Sequence, residues 1–221
     1  MALLRSAKPV ASANHEPACR HLTKADPVLA RLIDRIGRCS LAPRRGLFLT
    51  LCDSIISQQL SPAAADTIYR RFCALVPGSR PTPAFVSRVP LARLRAVGVS
   101  PQKAAYLKAL ASAVRRRHLD ARRLSGLDNE EIIAALVAVK GIGRWTAEMF
   151  LIFALNRPDV LPVDDLGIRK AVQRWYGLGT LPAPRTLQRI AQRWRPYESI
   201  ACWYLWRSLK VEGAQRRSER S

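Results

Sequence analysis

Acidic residues are scarce in this chain, and long uninterrupted apolar runs are missing from it. Only 16 Asp+Glu stand against 37 Lys+Arg in 221 residues, a formal net charge of +21. That imbalance implies attraction to a polyanion, and DNA, RNA or an anionic membrane surface would all fit. No stretch of about 18 uncharged apolar residues occurs, so no membrane-spanning helix is expected. The opening MALLRSAKPVASANHEPACR also lacks the apolar core of a secretory signal. The expectation is an intracellular protein, in the cytoplasm or nucleoid if bacterial. Cysteine is sparse and badly spaced for chemistry: Cys19, Cys39, Cys52, Cys73 and Cys202 are odd in number and form no CxxC pair. Neither a disulfide framework nor a zinc site is supported, and reduced, mostly buried thiols are expected. The three histidines, His15, His21 and His118, form no constellation.

Alternating apolar and polar residues, the signature of a half-buried strand, are also missing. Helical periodicity takes their place over 26–37, 47–59, 62–76, 82–88, 91–96, 101–117, 129–138, 143–155, 166–176, 185–194 and 197–210. Pro62 and Pro101 suit first turns, Asp128 suits a cap, and Gly78, Gly98 and Gly177 suit helix ends or turns. At 48% hydrophobic residues the chain can bury a core and is not a disordered basic tail. An all-α protein is predicted, with residues 1–24 loosely ordered, a domain over 25–212 and a basic polar tail over 213–221.

The most informative stretch is LVAVKGIGRWTAEMF at 136–150, followed by LPVDDLGIRK at 161–170. Two apolar helical segments meet at Gly141-Ile142-Gly143, where glycine allows tight dihedrals and close approach. The second helix starts at the turn, so its first amides and the positive end of its dipole can face an anion such as a phosphate. Lys140 and Arg144 flank the turn as further candidate phosphate contacts. Asp164 and Asp165 precede a helix, where either residue can cap it.

These segments resemble the helix-hairpin-helix DNA glycosylases, and the GIGRWTA turn with its downstream Asp resembles the 3-methyladenine DNA glycosylase II branch. SIISQQLSPAAADTIYRRF at 54–72 and RWRPYESIACWYLWR at 193–207 extend the resemblance over roughly residues 25–210. It implies two helical lobes with a DNA-facing cleft between them, and a double-stranded DNA partner with a flipped damaged base, bound by a monomer. It also implies that Asp165 is the catalytic carboxylate, leaving Asp164 as the candidate cap. A carboxylate beside a sugar stabilises the positive charge that develops as an N-glycosidic bond breaks.

Trp145 occupies the hairpin position where bifunctional relatives carry a Schiff-base lysine, which implies a monofunctional enzyme. Trp145 and Trp206 match the base-pocket positions of the alkyl-base branch, with Met149 one turn beyond Trp145. Trp203 and Tyr204 lie nearby in the chain, with Trp203 read as core. Electron-rich indole faces attract the cation of an alkylated base such as 3-methyladenine or 7-methylguanine. Gln59, with Gln58 as the alternative, matches the wedge that fills the gap left by a flipped base. The basic run Arg115-Arg116-Arg117 with Arg122 and Arg123 reads as a solvated face, and Arg169 and Lys170 as phosphate contacts or solvated charges. Only Cys202 lies near the C-terminus, so the iron-sulfur cluster common in the endonuclease III branch cannot be built there. No redox or organic cofactor is implied. Relatives do hold a monovalent cation on hairpin carbonyls, and such ligands leave no side-chain signature. Two alternatives stay open: a glycosylase for a neutral base such as uracil, hypoxanthine or ethenoadenine, and a non-catalytic DNA-binding module.

Overall fold

Proline and short polar side chains decide where most helices begin. The computed structural model describes residues 14–42, 46–120, 124 and 126–218, and all the regular structure among them is helical. In chain order the helices are α1 (Glu16–Ala25), α2 (Pro27–Ile36), α3 (Leu47–Ser57), α4 (Pro62–Cys73), α5 (Pro83–Arg88) and α6 (Leu91–Ala96). They continue with α7 (Pro101–Arg115), α8 (Asn129–Val137), α9 (Arg144–Phe153), α10 (Leu166–Trp175), α11 (Pro184–Ala191) and α12 (Glu198–Ser218). Ser61, Thr82 and Ser100 each precede a first-turn proline, and each hydroxyl accepts a first-turn N–H, from Ala64, Phe85 and Lys103 respectively. Proline suits that position because its φ is already helical and it has no N–H to leave unpaired. Asp128 and Glu131 close a reciprocal capping box at the start of α8.

The described residues divide into two compact units, one within 46–155 with α3 to α9, and one within 14–42 and 156–218 with α1, α2 and α10 to α12. In the first unit α3 is apolar on nearly every side, and Leu51, Cys52, Ile55 and Ile56 are fully buried. A helix of that kind belongs in a core, and α3 packs against α4, α7 and α9. Burying each large aliphatic side chain stabilises the unit by about 1.5 to 3 kcal/mol.

In the second unit α12 packs against α10 and α2. A buried carboxylate organises this unit: Asp26 caps α2 through Val28 N–H and Leu29 N–H. Its other oxygen accepts from the Tyr176 hydroxyl and from Trp194 Nε1, the latter at 2.9 Å. Burial, followed by the contact with Asp26, pushes the Tyr176 hydroxyl well above its ordinary range.

The structure corrects two boundaries. Residues 16–24, expected to be loosely ordered, belong to α1, whose Ala18 and Leu22 are buried. These two apolar positions give too short a periodicity for the sequence to reveal. The helix α12 continues to Ser218, past the expected start of the tail at Gly213. The expectations for residues 1–13, Arg122, Arg123 and 219–221 lie outside the described residues.

Candidate active site

The hairpin forms within the first unit. After α8 the chain turns through Val139, whose carbonyl accepts the Ile142 N–H at 3.0 Å, and α9 starts at Arg144. Gly141 has φ +94, and a Cβ there would lie 2.1 Å from Tyr106 Cγ, so the α7 tyrosine fills the space a side chain would need. Both the dihedral and the packing require glycine. Gly143, the α9 N-cap, is exposed, and a Cβ added to it would meet nothing within 4 Å. It offers no side-chain cap, so the helix start presents backbone rather than a capping hydroxyl. Ile142 is buried and anchors the turn.

The flanking charges differ in their surroundings. Lys140 is exposed, and lines a surface cavity of ≈ 320 Å³ with Arg116 and His118. Arg144 is engaged within the protein: Nη1 donates to Glu130 at 2.9 Å and Nε to Glu148 at 3.1 Å. The hydrogen bond to Glu130 is the main cause of a raised guanidinium pKa, and the same bond lowers that of Glu130. These bonds tie α8 to α9, and a phosphate contact by Arg144 would compete with the exposed Glu130 carboxylate.

The two glutamines also separate. Gln58 Nε2 donates to the Gly141 carbonyl at 3.0 Å, so its side chain supports the hairpin. Gln59 is exposed and has φ +53, beside Leu60, which is 36% exposed. Of the two, Gln59 is the one presented outward. Lys103 and Tyr106, which sequence reasoning missed, meet these segments from α7. Lys103 Nζ donates to the carbonyls of Ile56 and Gln58 at 2.9 and 2.7 Å. In the first two turns of α9, Trp145 is half-buried and Met149 is buried, one turn apart and therefore on one helix face. The Val139 and Gly141 carbonyls each accept one N–H and each retain a second lone pair. As neutral oxygen donors they fit a monovalent cation.

The carboxylate lies in the second unit. Asp165, 5% exposed, is itself the cap of α10: Oδ1 accepts the Ile168 N–H at 2.8 Å. This corrects the expectation that Asp164 caps the helix; Asp164 is exposed. The same Oδ1 accepts Trp206 Nε1 at 2.9 Å. With two donors converging on one oxygen, the plane of the carboxylate is fixed. Trp206 is 2% exposed, so the expectation that it offers an open ring face to a base is replaced. It presents its indole N–H to Asp165, and its ring fills the core. Gly167 makes this contact feasible, since a Cβ there would stand 3.0 Å from Asp165 Oδ1 and 3.3 Å from Trp206 Cδ1. No local sequence signal marks that need. Trp203 is core, edge-on to Tyr204 and covered by the Arg207 guanidinium. Arg169 donates to the Pro182 carbonyl at 2.9 Å and braces the following loop.

Among the described residues no group of His, Cys, Asp and Glu could hold a metal ion, and no helix is long and apolar enough to cross a membrane. All five cysteines are free. Burial raises the Cys39 thiol to about 12 and pushes Cys52 well above its usual range, which makes both poor nucleophiles.

The model of the HhH-GPD superfamily base excision DNA repair proteins matches residues 52–196. DNA-3-methyladenine glycosylase 1 of Schizosaccharomyces pombe is 36% identical over 201 residues, covering 86% of this chain and 86% of its own length. The alkylbase DNA glycosidase-like protein mag2 of the same yeast is 29% identical, over 90% of this chain and 95% of its own. The solved structure of S. pombe 3-methyladenine DNA glycosylase (Mag1) in complex with abasic DNA matches with a TM-score of 0.80 at 34% identity, covering 88% of this chain and 97% of that one. The DNA-3-methyladenine glycosidase of Bacillus halodurans gives 0.78 at 38%, covering 87% and 88%. The chain thus belongs to the HhH-GPD superfamily of base excision DNA repair proteins, on its 3-methyladenine glycosylase branch.

Proposed function

We propose that this protein is a monofunctional DNA glycosylase that hydrolyses the N-glycosidic bond of alkylated bases in double-stranded DNA. The observation that carries this reading is the buried Asp165 carboxylate, held by a helix N-terminus and an indole N–H on one oxygen. Such a group offers negative charge to a sugar whose C1′ becomes positive as the bond to the base breaks. The base leaves with the bonding electrons, water adds to C1′, and a proton is released to solvent. An alkylated, cationic base departs as a neutral molecule and needs no proton from the enzyme, whereas a neutral base would need a general acid.

Further support comes from the hairpin and from the charge of +21, which suit phosphate binding. The names of the relatives, all concerned with 3-methyladenine or alkylated bases, favour the same substrates. Trp145 supplies no amine for a Schiff base, and its half-buried ring can attract a cationic base by roughly 0.5 to 2 kcal/mol. Gln59 is the residue we assign to the gap left by the flipped nucleotide. We place the enzyme inside the cell, acting as a monomer. A monovalent cation on the Val139 and Gly141 carbonyls would add positive charge facing a DNA phosphate.

The test is incubation with methylated duplex DNA followed by chromatography of released bases. Free 3-methyladenine and 7-methylguanine with intact strands are expected. Release of uracil or hypoxanthine alone, or of no base, would overturn the proposal.

A further inference from the structure

We infer that Lys103 is a positioning residue that locks the turn carrying Gln59 to the hairpin, so that gap-filling and phosphate-binding surfaces act as one body. This inference rests on the DNA-glycosylase reading of the hairpin. Both surfaces belong to the first unit, and three sets of contacts from separate parts of the chain converge there.

The Lys103 ammonium sits on the carbonyls of Ile56 and Gln58, at 2.9 and 2.7 Å. These carbonyls lie at the C-terminal end of α3, where the helix dipole favours a positive charge. Desolvation lowers the pKa of this lysine, consistent with an amine drawn in against the protein. Gln58, fixed through its own carbonyl, then spans 83 residues of sequence to donate its side-chain N–H to the Gly141 carbonyl. Tyr106, one turn after Lys103 on α7, packs into the gap left by the missing Gly141 side chain, and its hydroxyl meets Gln102 at 2.6 Å. One turn of α7 therefore holds both the end of α3 and the hairpin.

The next residue, Gln59, occupies the left-handed region at φ +53. A non-glycine residue keeps that conformation only where its surroundings over-determine it. The Lys103 and Gln58 bonds provide that restraint immediately before it. A lysine on general DNA-attraction duty would extend into solvent; this one, half-buried, directs two of its three N–H donors to backbone carbonyls. Its contribution to DNA recognition is to hold other groups in place.

The experiment uses the full chain with Lys103→Met, which keeps the aliphatic stem and removes the donors, and Lys103→Arg, which keeps charge and donors. Affinity is measured for an undamaged duplex and for one containing a tetrahydrofuran abasic analogue, alongside single-turnover release from methylated duplex. Lys103→Met should keep native helix content and undamaged-duplex affinity within about threefold. Its preference for the abasic duplex should fall at least tenfold, with a similar loss in release, and Lys103→Arg should recover most of it. The double variant with Gln58→Leu should be no worse than the more impaired single variant, as expected for one connected unit. If Lys103→Met does not fold, Gln58→Leu, which cuts the same link at its other end, is read in its place. An unchanged abasic preference, equal losses on both duplexes, or additive losses in the double variant would overturn the inference. Absence of base release by the wild type would instead count against the proposed function, and the abasic preference would still report on Lys103.

Discussion

Replacing Asp165 by Asn removes the charge of the carboxylate while keeping its size and one acceptor oxygen. The amide oxygen can still accept the Ile168 N–H and Trp206 Nε1 bonds that Oδ1 now accepts at 2.8 and 2.9 Å. Asn and Asp are nearly equal as caps, and losing a negative charge at a helix N-terminus costs about 0.3 to 1 kcal/mol. For a chain of this size that is a fall of about 1 to 4 °C in Tm. The catalytic loss is much larger. A carboxylate about 4 Å from a developing unit charge, at an effective dielectric constant of about 20, contributes roughly 4 kcal/mol. At about 1.4 kcal/mol per factor of ten, base release should slow by about a thousandfold. The assay is single-turnover release of 3-methyladenine and 7-methylguanine, with duplex affinity and thermal melting measured on the same preparation. Asp164→Asn, at an exposed position outside the cap, should release bases at nearly the wild-type rate. A loss below tenfold for Asp165→Asn, or an equal loss for Asp164→Asn, would refute the electrostatic role assigned to Asp165.

Trp206→Phe keeps a ring in the core but removes the N–H held by Asp165, and misplacement of the carboxylate should slow release by about 10 to 100-fold at unchanged undamaged-duplex affinity. An unchanged rate in the folded variant would show that this bond does not position the carboxylate. The two hairpin glycines should behave in opposite ways. Gly141→Ala should lower Tm sharply, losing about 1 to 2 kcal/mol from the positive φ alone before the clash with Tyr106, whereas Gly143→Val, which exchanges a favoured N-cap residue for a poor one at an open position, should lower Tm much less but bind damaged and undamaged duplexes more weakly by similar factors. Comparable melting losses in the two variants would contradict this geometry. Borohydride added during turnover should trap no protein-DNA adduct, since Trp145 offers no amine; an adduct in good yield would make the enzyme bifunctional and implicate Lys140.

Helix starts were legible because their causes are local. A Ser or Thr before a proline, or Asp128 three residues before Glu131, announces a cap within four residues of sequence. The Gly141-Ile142-Gly143 turn and its second helix were legible for the same reason. What stayed hidden depends on contacts between distant residues. The resemblance favours Gln59 over Gln58 as the wedge but gives Gln58 no separate role, yet Gln58 reaches Gly141 while Gln59 faces outward. Arg144 reads as a free cation until α8 brings Glu130 to it. The choice of Asp165 over Asp164 came from resemblance, but its additional service as the cap required the direction of the chain entering α10. Helix α1 was missed because its buried face rests on Ala18 and Leu22 alone.

The helix α10 is moored at both extremities, by Asp165 at its start and by the Tyr176 hydroxyl, bonded to Asp26, just beyond its end. About 15 Å of rigid rod separates these moorings. A substitution at Asp26 or Tyr176 would thus tilt a lever whose far tip is Asp165, the carboxylate to which we assign the reaction. In a screen for repair-deficient variants, such lesions would pass for damage to the reaction centre although they arise at the opposite end of the rod. A map of inactivating positions for this protein should therefore show foci at both ends of one helix axis, joined by the buried positions Ile168, Ala171 and Val172, with tolerance at solvent-facing positions such as Lys170.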